Sequence, residues 1–150
     1  YFIGTAMSAF EFHNQLHIKL SDFDKYANLL PEGNGPYTLN GLRTNIRVGI
    51  AYMHGWKQDI GCVSFDNLME DLATLEISRA QVWQWLHHSI TLNDGRKVTK
   101  ELVTTLFDEE FKKINLEMPS EGLLQAKNEA MELFVMDSMP DFSCTSSPKE

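Results

Sequence analysis

Apolar residues at helical spacing, set behind recognisable start signals, constrain this chain more than any other feature. Leu42, Ile46, Ile50 and Met53 fall on one stripe behind Thr38, a residue type that caps helix starts. A helix is therefore predicted from Thr38 to about Gln58, preceded by the loop signal Pro31-Glu32-Gly33-Asn34-Gly35-Pro36. Gly49 and Gly55 each cost that helix about 1 kcal/mol of propensity relative to Ala, so another backbone is expected to approach there. The segment from Asp59 to Asp66 crosses to a second predicted helix, from about Asn67 to His88 with Asp66 as its cap. Leu68, Leu72, Leu75, Val82 and Leu86 gather on one face of it.

Asn93-Asp94-Gly95-Arg96 reads as a tight turn, and Thr99 caps a third helix through about Asn115. Pro119 and Ser120 open a fourth, which carries Leu123, Leu124, Met131, Leu133 and Phe134 toward Met136. Tyr1 to about Phe12 suggests a short strand remnant and a helical turn. The fold class is mainly α: a compact bundle of about four to five helices joined by short loops, with no internal repeat.

Composition narrows the function. With 150 residues, 43% of them apolar and 23% charged, the chain is one globular domain with room for a core. No apolar run approaches the ~20 residues of a membrane-spanning helix. A net charge of −8 argues against nucleic acid or an anionic membrane as partner. Two cysteines, Cys62 and Cys144, are too few for a disulfide scaffold, so an intracellular reducing compartment is expected. Cys62 reads as a small buried thiol. The five histidines form no metal-ligand pattern, and no P-loop, Rossmann or nucleophile-elbow motif occurs. The start at Tyr1, without an initiator methionine, reads as the cut end of a longer polypeptide.

The chemistry-bearing stretch is Asn67-Leu68-Met69-Glu70-Asp71. Two adjacent carboxylates stand where a loop becomes a helix, beside large apolar residues. Such a carboxylate can be a general base, held ionised by the helix N-terminus while it faces a partly dry pocket. Position alone favours the plainer reading, since capping acids far outnumber catalytic ones. Arg79 interrupts the apolar stripe, and pairing with Glu76 or with an acid on another helix is a better account of it than substrate binding. Trp83 and Trp85 cannot share a helix face, so at least one packs against another element. His87 and His88 suit a helix C-terminus.

Ordered motifs shift the balance at the carboxylate pair. Gly41-Leu42-Arg43-Thr44-Asn45-Ile46, Gly61-Cys62-Val63, Asn67-Leu68-Met69-Glu70-Asp71 and Glu76-Ile77-Ser78-Arg79-Ala80-Gln81 succeed one another at consistent spacing. Trp83-Gln84-Trp85, His87-His88 and Asp94-Gly95-Arg96 continue the series. Together they resemble the C-terminal domain of malate synthase, over roughly residues 14–136 and most densely over 41–102. The resemblance implies the helical lid of a TIM-barrel enzyme. It divides the chain into a barrel remnant at 1–13, the helical domain at 14–139 and a flexible tail at 140–150.

The function so implied is condensation of acetyl-CoA with glyoxylate and water to give malate and CoA, an acyltransferase step of the glyoxylate cycle. Asp71 matches the family's catalytic base, and Met69 is placed against the acetyl-CoA pocket. Glu70 would orient the loop or make a hydrogen bond. The family's Mg²⁺ would be held by carboxylates of the barrel, for which this chain has no room, so the partners are acetyl-CoA, glyoxylate and a barrel domain of the same or another chain. The isolated chain is expected to be inactive. The alternative is a non-enzymatic assembly or binding module derived from the domain. Pro148-Lys149-Glu150 is not a Ser-Lys-Leu type signal, which leaves cytosol, peroxisome or glyoxysome, and mitochondrion open.

Overall fold

The computed structural model describes residues 35–139. The expected barrel remnant at 1–13, the stretch 14–34 and the tail at 140–150 lie outside the described residues. Helix α1 spans Leu39–Trp56, and Thr38 caps it as expected, its hydroxyl accepting from Gly41 N at 3.0 Å. Leu42, Ile46 and Ile50 of the predicted stripe are wholly buried, while Met53 packs at the margin of the core. The two costly glycines make room, as anticipated, but for side chains rather than for backbone. A Cβ at Gly49 would stand 2.7 Å from Phe134 Cζ, and one at Gly55 only 2.3 Å from Val63 Cγ1.

Past α1 the chain departs from the helix-to-helix crossing read from sequence. Strands β1, Cys62–Phe65, and β2, Leu68–Asp71, form an antiparallel hairpin. Asp66 and Asn67 form its turn, with φ of 47° and 63°. A two-residue hairpin turn with positive φ at both positions matches the twist of the strands, and Asp and Asn tolerate that region best after Gly. The same residue types favour helix starts, which is why Asp66 resembled a cap. Asp71 is the true N-cap, and helix α2 spans Leu72–His87, starting five residues later than predicted because β2 occupies most of that stretch. Leu75 and Val82 of the proposed stripe are buried, whereas Leu68 stands exposed on the hairpin.

The turn at 93–96 is present: Gly95 has φ of 87°, Leu92 N donates to Arg96 O at 2.8 Å, and Thr91 bridges Lys97. Helix α3 spans Lys100–Glu117 behind its Thr99 cap, which accepts from Leu102 N at 3.2 Å. Helix α4 spans Leu123–Phe134 and starts later than Pro119-Ser120 suggested. Its cap is Gly122 at φ of 81°, a backbone region open to glycine. Ser120 Oγ lies 2.9 Å from His54 Nε2 instead.

The result is mainly α, four helices and one small hairpin among the described residues. Helix α1 runs through the middle and touches every other element. Phe107 of α3 and Phe134 of α4 meet edge to face at 5.5 Å between centroids and close the core beside Gly49. Among the described residues no helix is long and apolar enough to cross a membrane.

Candidate active site

Strand alternation decides which side chains can act together. In the hairpin register Cys62 pairs with Asp71, Val63 with Glu70, Ser64 with Met69 and Phe65 with Leu68. Cross-strand partners share a face, so Cys62, Ser64, Met69 and Asp71 share one face and Val63, Phe65, Leu68 and Glu70 the other. The second face packs inward, with Phe65 and Glu70 buried. The first is open: Met69 is 66% exposed and Cys62 is exposed too. The expectation of a buried Cys62 thiol is thus corrected, because its strand position puts it on the outward face.

The adjacent carboxylates therefore part company. Glu70 turns into the molecule, and no side-chain hydrogen bond engages its carboxylate among the described residues. The bond expected of it is not made there. Asp71 points outward at the junction of β2 and α2, with extended φ and ψ of −126° and −173°. Its Oδ1 accepts from Thr74 N at 3.1 Å and from Thr74 Oγ1 at 3.3 Å. Among the described residues nothing bonds Oδ2. One oxygen thus anchors the group, on a residue that is half-buried.

The apolar surround read from sequence is only partly assembled. Leu72 is half-buried, but Leu68 and Met69 lie open. A cleft of about 410 Å³ runs along β1, lined among others by His54, Gly55, Cys62, Val63, Ser64 and Phe65. Neither Asp71 nor Met69 lines it, so it is not the pocket of the candidate base. Among the described residues no group of three or more His, Cys, Asp or Glu side chains could hold a metal ion.

Arg79 pairs with Glu76 within α2, as expected, although its guanidinium is buried rather than extended to solvent. Trp85 packs edge-on against Tyr37 at 5.3 Å. Trp83 stacks on His87 at 3.8 Å and donates through Nε1 to Met136 O at 2.9 Å. These contacts make both tryptophans packing residues, which agrees with their divergent faces.

One cluster had no signal in the sequence reading. Arg47 of α1 makes a two-pronged contact with Asp66 of the hairpin turn, Nε to Oδ2 and Nη2 to Oδ1, both at 2.9 Å. It also reaches Glu117 at 3.2 Å and Glu110 at 3.4 Å, both on α3. Glu110 is buried and further paired with Arg43 and with Lys113. The Asp66 contact, working against burial and helped by Glu117, raises the Arg47 guanidinium above its ordinary range. The partners lie 19 to 70 residues from Arg47 in sequence, and no local pattern announces them.

Residues 36–146, which contain the hairpin and Asp71, match the family described as "Malate synthase, C-terminal". The chain belongs to this family. It is 51% identical over 105 residues to a malate synthase of Myxococcus xanthus (strain DK1622), a span covering 69% of this chain and 19% of that protein. Malate synthase A of Escherichia coli (strain K12) is 44% identical over 99 residues, 66% of this chain and 19% of that one. A malate synthase of Dictyostelium discoideum is 37% identical over 145 residues, 88% of this chain and 26% of that one. The chain thus spans about a fifth to a quarter of the length of these relatives. Membership in the malate synthase C-terminal family fits a domain that shows an anchored carboxylate on an open face.

Proposed function

We propose that this chain supplies the general base of a malate synthase active site, Asp71, to a barrel domain of the same or another chain. The observation that carries the reading is the split use of the Asp71 carboxylate: Oδ1 is fixed by Thr74, and no hydrogen bond engages Oδ2 among the described residues. A base held rigidly at the proton lowers the barrier by positioning. Oδ2 takes a proton from the acetyl methyl of acetyl-CoA, and the C–H electron pair becomes the enolate. The enolate carbon attacks the aldehyde carbon of glyoxylate, forming the new C–C bond and an alkoxide that takes up a proton. Water then cleaves the thioester of malyl-CoA, releasing malate and CoA as its thiol.

Met69, two residues before Asp71 on the same strand face, supplies apolar surface to the acetyl-CoA side of the site. The described residues do not fit the Mg²⁺ implied by the resemblance, and its ligands are assigned to the barrel domain. The open hairpin face has the character of a site completed by a second body. Purified 1–150 alone is accordingly expected to form no malate from acetyl-CoA and glyoxylate with Mg²⁺ present, and Mg²⁺-dependent product from it would refute the shared site.

The deciding experiment is Asp71→Asn in the assembled enzyme. Asn caps a helix as well as Asp does, so circular dichroism should be unchanged. Turnover should fall by about 10²–10⁴-fold, the usual worth of a positioned base. A folded variant that releases CoA at the normal rate would rule Asp71 out as the base.

A further inference from the structure

The two strands of the hairpin are not held alike. β1 is fixed by its side chains, Phe65 in the core and Val63 against the bare Cα of Gly55. In β2 only Glu70 is buried, while Leu68, on the same face, and Met69, on the other, are exposed. Its placement therefore depends on the ladder to β1, on the Asp71 cap at one end and on the turn at the other. Arg47 grips that turn. Its planar fork matches the Asp66 carboxylate, which fixes orientation as well as distance. The guanidinium carbon also lies 5.0 Å from the centroid of the Phe65 ring, directly before the turn. The Arg47 side chain is 15% exposed and that of Asp66 48%, so the contact is shielded from solvent on the Arg47 side only.

We propose that Arg47 is a positioning residue for the Asp71 base: by clamping Asp66 to α1 and α3 it sets the tilt of β2, and hence the point at which Oδ2 meets the acetyl methyl group. The proposal rests on the reading of Asp71 as the base. It assigns Arg47 no contact with substrate. Its effect falls on the geometry of proton removal and leaves binding of either substrate largely alone. The charge arrangement keeps this role separable from folding. Without Arg47, buried Glu110 still has Arg43 and Lys113, so no buried charge is orphaned. Asp66 alone among its carboxylate partners belongs to the hairpin.

The test uses the assembled enzyme with Arg47→Met, which keeps an apolar stem over Phe65, and Asp66→Gly, which removes the carboxylate at a positive φ that glycine accepts. Each should lower kcat by about 10- to 100-fold, the scale of an ~1 Å misplacement, with KM for both substrates little changed. The primary isotope effect with methyl-deuterated acetyl-CoA should rise, because proton removal becomes the slow step. The double variant should be no slower than the worse single one, and Arg47→Lys should recover part of kcat. Folded single variants with normal kcat and isotope effect, beside an inactive Asp71→Asn, would overturn the positioning role while leaving the base in place. An active Asp71→Asn would instead sink the base itself. If Arg47→Met does not fold, Asp66→Gly decides the matter, since Asp66 is an exposed turn residue.

Discussion

At Asp71 two roles fall on one side chain, and substitution separates them. Asn and Ala both lack the base, but only Asn retains an acceptor for Thr74 N. Asp71→Ala should therefore unfold about 1 kcal/mol more easily than Asp71→Asn, the usual worth of a cap, in parallel urea titrations. Equal midpoints would show that the Thr74 contact adds no stability. The residue scale is also where the sequence was most readable. Thr38 and Thr99 cap the helices they were expected to cap, and Arg79 meets Glu76 one turn away. Such signals are local, with partners three residues apart. Cys62 was misread because its exposure depends on strand alternation, in a strand that no local pattern revealed.

Among the elements, α1 and the hairpin show what periodicity can and cannot carry. Eighteen residues of α1 give the 3.6-residue repeat ample room. Each strand has four residues, and Leu68 happens to fall at helical spacing from Leu72 and Leu75. A short alternation then loses to a longer, accidental helix pattern, and the Asp-Asn turn is taken for a helix start. The two elements are nonetheless fitted to each other. Val63 occupies the space that a side chain at position 55 would fill. Gly55→Ala should therefore cost about 1–3 kcal/mol, the usual penalty for overpacking, despite its better helix propensity. Adding Val63→Ala should return much of that loss. A Gly55→Ala protein as stable as the parent in thermal melts would show that the hairpin shifts freely away from α1.

At the scale of the whole molecule, charge joins what the core alone would leave loosely related. Arg43 and Arg47 on α1 converge on Glu110 of α3, and Arg47 extends the same network to the hairpin turn. None of this was legible beforehand, because each contact links residues brought together only by the fold. Burial opposes ionisation of Glu110, but the hydrogen bonds from Lys113 and Arg43 outweigh it, so its carboxyl titrates below the ordinary range. A carboxyl whose folded pKa is depressed stabilises the fold fully above its unfolded value and loses that contribution as pH falls through the folded one. Glu110→Gln keeps the shape and removes the charge. It should cost roughly 1.5–3 kcal/mol at neutral pH, the range for hydrogen bonds to charged groups. The roughly 3–5 kcal/mol of an orphaned buried charge does not apply, since Arg43 keeps Glu109 and Arg47 keeps Asp66 and Glu117. The stability gap between parent and variant should then close as pH drops below about 4, the ordinary glutamate range. Denaturant titrations across pH 3 to 7 would measure it, and a gap that stays constant over that range would mean that the ionised Glu110 does not hold α1 to α3.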